Sequence, residues 1–401
     1  MSETMDKDTY TIQGFKASAV AAGLKKKTDL LDLGLILSER EAAAAGVFTT
    51  NRVKAAPVIL SQDHVRHGRA RAILVNAGNA NACTGQRGLD DARGTAEMVA
   101  LRLGISPGEV LVASTGVIGA PLNMDRFSDA VPKLVDSLSQ DGLSRVAEAI
   151  MTTDSFPKLA RFQGEAGGVP YRILGMAKGA GMIMPNMATM LCFILTDIRI
   201  EAGLLQETLS EAVETTFNRI TVDGDTSTND CVLVMANGLA GNAPSTSQGL
   251  AAFRGGLTSV MGKLATMIVR DGEGATKVIY VKIRGAASAS DAETAARTVA
   301  NSALVKTACY GQDPNWGRIM GALGRSGVAM AEDRVDIWVD DEKIVEKGLG
   351  LGSEAEARAS ERMKEREFSL IIHLHQGDYE DRIATCDLTH EYVSINANYR
   401  T

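Results

Sequence analysis

The sequence predicts an α/β fold with mixed strand order, on three observations. Short apolar, strand-like runs alternate with segments of helical period along the whole chain. The order is not a strict strand–helix–strand rhythm, which argues against a regular doubly wound sheet. No repeat of fixed period and no proline- or serine-rich linker divides the chain, so any two lobes are expected to be intimately packed.

The elements follow in order. GFKASAVAAG (14–23) and LDLGLILSE (31–39) read as strands. ARAILVNAGNANACTG (70–85) reads as a strand running into a Gly/Asn loop. DDARGTAEMVALRLG (90–104) has helical spacing, with Ala96, Val99, Ala100 and Leu103 on one face. GEVLVASTGVIG (108–119) is a second strand-to-loop unit, and FSDAVPKLVDSLS (127–139) keeps a helical period despite Pro132. A glycine-rich stretch then runs into the strand MLCFILTDI (190–198). LLQETLSEAVETTFNRI (204–220) reads as a helix, with Leu205, Leu209, Val213 and Phe217 at four-residue spacing. CVLVMANG (231–238) and KVIYVKIRG (277–285) are strands on either side of the helical LTSVMGKLATMIVRDG (257–272). The segment 290–311 is predicted as one helix opened by a capping box, Ser290 with Glu293 three positions on. RVDIWVDD (334–341) and FSLIIHLHQG (368–377) are strands around an exposed helix at 353–367, and the tail from Ala384 begins strand-like.

Composition bounds the function. The 401 residues suffice for a large core, and 45% apolar with 23% charged residues is ordinary for a globular chain. Aromatics are only 4%, so Ala, Val, Leu, Ile and Met must build the core. A net charge of −7 argues against a nucleic-acid or anionic-membrane surface. The five cysteines are scattered and form no CxxC pair, the pattern of a reduced, cytoplasmic protein. The N-terminal stretch is acidic and has no apolar core, so no signal peptide is expected. No apolar run reaches the roughly 18 residues that cross a bilayer.

Several familiar motifs fail on inspection. GAGM (179–182) contains GxG but lacks the third glycine of a phosphate loop. DGDTSTND (223–230) resembles a calcium loop, yet position six is Thr228 instead of glycine and position twelve is Val234 instead of glutamate. An Asx/Ser-Thr turn network is the better reading there. His373 and His375 share one side of a strand with no third ligand near in sequence, which suits a solvated face better than a metal site. With five histidines and no GxSxG elbow, a serine triad has little support.

KGAGMIMPNMATMLCFILTD (178–197) is the stretch that invites chemistry. Small, flexible residues lead to Ala188 and Thr189 where loop turns into strand. Threonine is a good strand former, and the plain reading is an ordinary strand residue. A chemical reading requires cleavage of the bond before it. The hydroxyl would attack the preceding carbonyl, shift the chain from nitrogen to oxygen, and let water release the ester. The new terminus would then carry a nucleophile and, with an α-amine of pKa about 7.7–8.0, a base on one residue.

MAKGAGMIMPNMATML (176–191) resembles the self-cleavage segment of the ornithine acetyltransferases, the ArgJ family of bifunctional glutamate N-acetyltransferases. STGVIG (114–119), MTTDSFPK (151–158), VDGDTSTND (222–230), VRDGEGATK (269–277), GQDPNWGR (311–318) and INANYRT (395–401) resemble further family blocks, in the family's order. The resemblance implies a layered sandwich of mixed β-sheets and helices, shared with the self-processing β-aminopeptidases. It implies scission between Ala188 and Thr189 into an α chain, 1–188, and a β chain, 189–401, which stay together and pair into a heterotetramer. Arginine biosynthesis in the cytoplasm is the implied setting.

By that resemblance Thr189 is the nucleophile, taking the acetyl group from N-acetyl-ornithine and passing it to glutamate. Thr115 and Gly116 are the implied oxyanion hole, although a strand-end turn is the plain reading of STG. Thr152, Lys178, Thr189, Glu273, Asn396 and Thr401 are the implied substrate-binding residues, with the choice between Thr152 and Thr153 open. Lys178 suits a substrate carboxylate; Glu273, flanked by Gly272 and Gly274, suits the ornithine ammonium. Singly, such charged residues are more often solvated. Ser155 stands where the family commonly has threonine. No metal and no bound cofactor are implied. Acetyl-CoA is a possible co-substrate, and the alternatives are an enzyme that only recycles acetyl groups, or an amidohydrolase or aminopeptidase of the same fold.

Overall fold

The structure is a computed structural model, and it describes residues 10–184, 190–244 and 246–398. Ala188, Thr189 and Thr401 lie outside the described residues.

The first half of the chain and its continuation to 270 build one sheet of eight strands. These are β1 (Phe15–Val20), β2 (Leu33–Phe48), β3 (Arg69–Asn79), β4 (Val110–Val117), β5 (Lys158–Ala166), β6 (Val169–Lys178), β7 (Leu191–Thr196) and β8 (Cys231–Ala236). The order is β4-β3-β2-β8-β7-β6-β5, with β1 paired antiparallel to the other end of β2. β3 and β4 run parallel, as do β7 and β8, and the remaining pairs are antiparallel. The helices are α1 (Ala56–Val65), α2 (Gly85–Leu103), α3 (Met124–Asp136), α4 (Leu143–Ala149), α5 (Ala202–Thr215) and α6 (Ser247–Arg270).

Both faces of this sheet are buried. Cys192 and Ile194 point into a core beneath α5 and α6, whereas Leu191, Phe193 and Leu195 point into one closed by β1 and α4. Hence β7 and β8 read as unbroken apolar runs in sequence, as strands covered on both sides must. Leu33, Leu35, Leu74 and Val112 pack with Ala96, Val99 and Phe127 of α2 and α3 in a third cluster.

The rest of the chain forms a six-stranded sheet from β9 (Val278–Ala286), β10 (Asp336–Val339), β11 (Glu342–Glu346), β12 (Leu349–Gly350), β13 (Glu367–His373) and β14 (Tyr379–Cys386). Its order is β12-β11-β10-β13-β9-β14. Helices α7 (Ala289–Ala300), α8 (Ala303–Tyr310), α9 (Trp316–Gly324) and α10 (Ser353–Arg362) supply apolar residues to its core, and α11 (His390–Asn398) follows β14. Val278, Ala384 and Cys386 join the core under α5 and α6, so the two sheets share one interior. The α/β layered arrangement and the absence of a linker agree with the sequence. No helix among the described residues is long and apolar enough to cross a membrane.

Local differences have local causes. The predicted helix 290–311 is two helices: Ser302 interrupts it and caps α8, accepting from the Val305 N–H. The cap of α7 is Ser288, whose side chain accepts from the Asp291 N–H, and Ser290 lies inside the helix. The Ser290–Glu293 capping box is therefore corrected; the same polar spacing occurs two residues earlier, at Ser288 and Asp291. α5 stops at Thr215, and Phe217 continues its apolar face from a 3₁₀ turn. α3 runs through Pro132, as its period indicated. α1, α4 and the β5–β6 hairpin were not read from the sequence.

Candidate active site

A cavity of about 250 Å³ opens where the loops of both sheets meet. Thr115 and Gly116 end β4, Lys178 ends β6, Glu273 follows α6, and Asn396 projects from α11; Thr152 and Thr153 both line the wall. Five segments far apart in sequence thus deliver every described residue expected at the site.

The Thr115–Gly116 turn is built by close backbone approach. Gly116 has φ +133°, and a Cβ there would lie 2.3 Å from the Gly78 carbonyl carbon and 2.5 Å from the Asn79 nitrogen. Only glycine lets the ends of β3 and β4 touch in this way. The Asn229 amide clamps the pair from the third side, donating to the Ala80 carbonyl (2.6 Å) and the Ser114 carbonyl (2.8 Å). Ser114 Oγ donates to Asn76 Oδ1 (2.6 Å), joining the two strands beneath.

Lys178 is buried and its Nζ donates to Thr115 Oγ1 at 3.2 Å. Burial lowers its pKa, the neighbouring Asp154 carboxylate opposes that, and Lys158 adds to it. Asp154 is held at about 2: burial raises it, but the Lys178 and Lys158 ammoniums and the Thr152 N–H outweigh burial.

Glu273, also in the cavity lining, is fixed at backbone and side chain. Its N–H donates to the Ala180 carbonyl (2.9 Å), and Asn396 Nδ2 donates to its Oε2 (2.7 Å). A Cβ on Gly181 would come within 2.4 Å of the Glu273 carboxylate. The glycine that gives this carboxylate room is therefore Gly181, supplied by the Gly-rich stretch itself. Gly274, at φ +69°, serves α11 instead: a Cβ there would lie 2.7 Å from the Tyr392 nitrogen.

The DGDTSTND segment forms the expected turn network, with the Asp225 N–H on Asp223 Oδ1 and the Asn229 N–H on Ser227 Oγ. It is also the cavity wall, through Asp223, Asp225, Ser227, Thr228 and Asn229. Asp223 accepts from the Met182 N–H (2.6 Å), the Ile183 N–H (2.8 Å) and the Tyr392 hydroxyl (3.3 Å). Burial raises the Asp223 carboxyl against the pull of those amides; burial and then the Asp223 charge raise Tyr392. Sequence reasoning missed Asp154, Asp223, Asn229 and Tyr392 as site residues. The only signal for the first three was their place in the conspicuous blocks 151–158 and 222–230.

The described residues nearest the expected scission are held on both flanks. Thr226 Oγ1 donates to the Met184 carbonyl (3.4 Å), and the Cys231 N–H donates to the Met190 carbonyl (3.1 Å). Among the described residues no group of three or more His, Cys, Asp or Glu side chains is placed to hold a metal. His373 and His375 stack with ring centroids 3.7 Å apart, and His375 Nε2 lies 3.1 Å from Asp336 Oδ2, away from the cavity.

The family model of the ArgJ family matches residues 16–401. The chain belongs to the ArgJ family. An arginine biosynthesis bifunctional protein ArgJ of Geobacter sulfurreducens is 52% identical over 97% of this chain and 100% of its own length. The Desulfotalea psychrophila protein of the same name is 51% identical over the same shares. A crystal structure of the Bacillus halodurans ArgJ protein, 44% identical, covers 51% of this chain and 96% of its own with a TM-score of 0.48. Every cavity residue described above lies within the span matched to the ArgJ family.

Proposed function

We propose that this chain transfers the acetyl group of N2-acetyl-L-ornithine to L-glutamate through an acetyl ester on Thr189, and that it also acetylates glutamate from acetyl-CoA. The observation that carries the reading is one cavity lined both by Lys178, bonded to Thr115 of the Thr115–Gly116 turn, and by Glu273, bonded to Asn396. An amino acid with a carboxylate at one end and an ammonium at the other complements that pair of charges.

The chain is first cut between Ala188 and Thr189, giving pieces 1–188 and 189–401 that remain one folded unit and assemble as a heterotetramer. The Thr189 hydroxyl then attacks the acetyl carbonyl while its own α-amine accepts the hydroxyl proton. The Thr115 O–H and the Gly116 N–H stabilise the negative oxygen of the tetrahedral intermediate. Collapse breaks the amide bond, and the departing ornithine nitrogen takes the proton. Glutamate's α-amine attacks the ester, its proton returns to the threonine oxygen through the α-amine, and N-acetylglutamate leaves. Thr152 and Thr401 complete the substrate contacts, with Lys178 for a carboxylate and Glu273 for the side-chain ammonium of ornithine. These residues supply the nucleophile, base and oxyanion donors, so the proposal includes no resident metal or cofactor; acetyl-CoA enters as a co-substrate, and the cytoplasm is the proposed location.

The test is an assay of purified protein with N-acetyl-ornithine, with and without glutamate. Ornithine release that tracks glutamate, with N-acetylglutamate formed in equal amount, is the expected result. Ornithine and free acetate at the same rate without glutamate would instead make the protein an amidohydrolase. Glutamate acetylation from acetyl-CoA, run separately, distinguishes the bifunctional enzyme from one that only recycles.

A further inference from the structure

Beneath the cavity lies a buried charge cluster. Asp154 Oδ1 accepts from Lys158 Nζ (2.6 Å) and from the Gly179 N–H (2.7 Å), and Oδ2 accepts from the Thr152 N–H (3.0 Å). Lys158 Nζ also donates to Asp271 Oδ2 (2.5 Å), which takes the Ser155 N–H (3.0 Å). The Asp154 and Lys158 side chains are 0% exposed and that of Asp271 only 4%. Lys178, the residue before Gly179, feels the charges of both Asp154 and Lys158. The cluster's bonds reach residues that line the cavity: Thr152 directly, Lys178 through the adjoining Gly179 amide, and Glu273 two residues beyond Asp271.

We propose that Asp154 is a positioning residue for acetyl transfer, one that orients the Thr115 hydroxyl by way of Lys178. A lysine ammonium has three donors and no acceptor, so its hydrogen bond to Thr115 can run only from Nζ to Oγ1. The single Thr115 proton is then free for the oxyanion. A neutral amine has a lone pair, and the same contact could reverse, turning the Thr115 proton away from substrate. Lys178 faces Asp154, Asp230 and Glu273, which favour its charge, and Lys158 and Lys25, which oppose it along with burial. Asp154 is the largest of the favourable influences. The catalytic consequence rests on the oxyanion role proposed for Thr115, whereas the charge state of Lys178 does not.

Two variants test this by lysine side-chain NMR titration, with the Lys178 resonance assigned through Lys178→Arg. Asp154→Asn is expected to lower the Lys178 midpoint by about one pH unit or more, a tenfold change in proton affinity. Lys158→Met removes a repelling cation and is expected to raise it. In kinetics, Asp154→Asn should move the alkaline limb of kcat to lower pH, with a smaller change in KM for N-acetyl-ornithine. In the Lys178→Met background Asp154→Asn should add little further loss in kcat. An unmoved Lys178 midpoint in both variants, or full additivity with Lys178→Met, would overturn the proposal. If wild-type protein transfers no acetyl group, the proposed function falls while the Lys178 titration still decides the role of Asp154.

Discussion

Lys178 Nζ donates to Thr115 Oγ1 across 3.2 Å, linking the end of β6 to the end of β4. The two residues are 63 positions apart, and neither strand pairs with the other. The contact joins a buried cation to the hydroxyl expected to meet negative charge in the transition state.

Lys178→Met should therefore depress kcat, by about 10²–10³, the usual loss on disabling an oxyanion donor. Fold should survive, because Asp154 keeps Lys158 and two amides as partners. Steady-state kinetics beside a thermal melt check both halves; an unchanged kcat would remove Lys178 from the oxyanion side.

Thr189→Ala should give a single chain of about 42.4 kDa with no acetyl transfer. Thr189→Ser should retain some cutting, because the hydroxyl remains. Intact mass and N-terminal sequencing are the measurements, and an alanine variant that still splits before residue 189 would show that threonine does not make the attack.

Glu273→Gln keeps the shape and the Asn396 contact but loses the charge. KM for N-acetyl-ornithine should rise about tenfold or more, the worth of a hydrogen bond between charged groups. Use of glutamate as acceptor should change less. An equal effect on both substrates would place the ornithine ammonium elsewhere.

Gly116→Ala forces a Cβ to 2.3 Å from the Gly78 carbonyl carbon at φ +133°. The strain should cost on the order of 1–3 kcal/mol and shift the turn that carries the proposed Gly116 donor. Denaturant midpoint and kcat should fall together. A variant of unaltered stability and rate would contradict the close approach.

Stability should also decline in acid through Asp154. Its carboxyl sits at about 2 when folded, below the unfolded value of about 3.9. A lowered folded pKa stabilises fully above about pH 4 and is lost as pH falls towards 2, on the order of 2 kcal/mol. Urea midpoints of wild type and Asp154→Asn should converge between pH 5 and pH 2.5; a constant gap would deny the shift.

Sequence by itself determined the α/β class, most of the strands and the residues offered to the site. Periodicity reports which faces are buried, and unbroken apolar runs such as 191–196 announce strands covered on both sides. Segments whose signal is weak in isolation, α1 and the β5–β6 hairpin, escaped because their burial comes from neighbours distant in sequence. The same reason governs the cavity. Asp154 and Asp271 are 117 positions apart by their numbers, yet they share Lys158. Gly181 makes room for Glu273, and Ser288 caps the helix assigned to Ser290. Local rules of spacing cannot choose among partners that only the returning chain brings within hydrogen-bond reach. Tertiary structure made that choice, and with it decided which charges are buried together and how the hydroxyl of Thr115 is held.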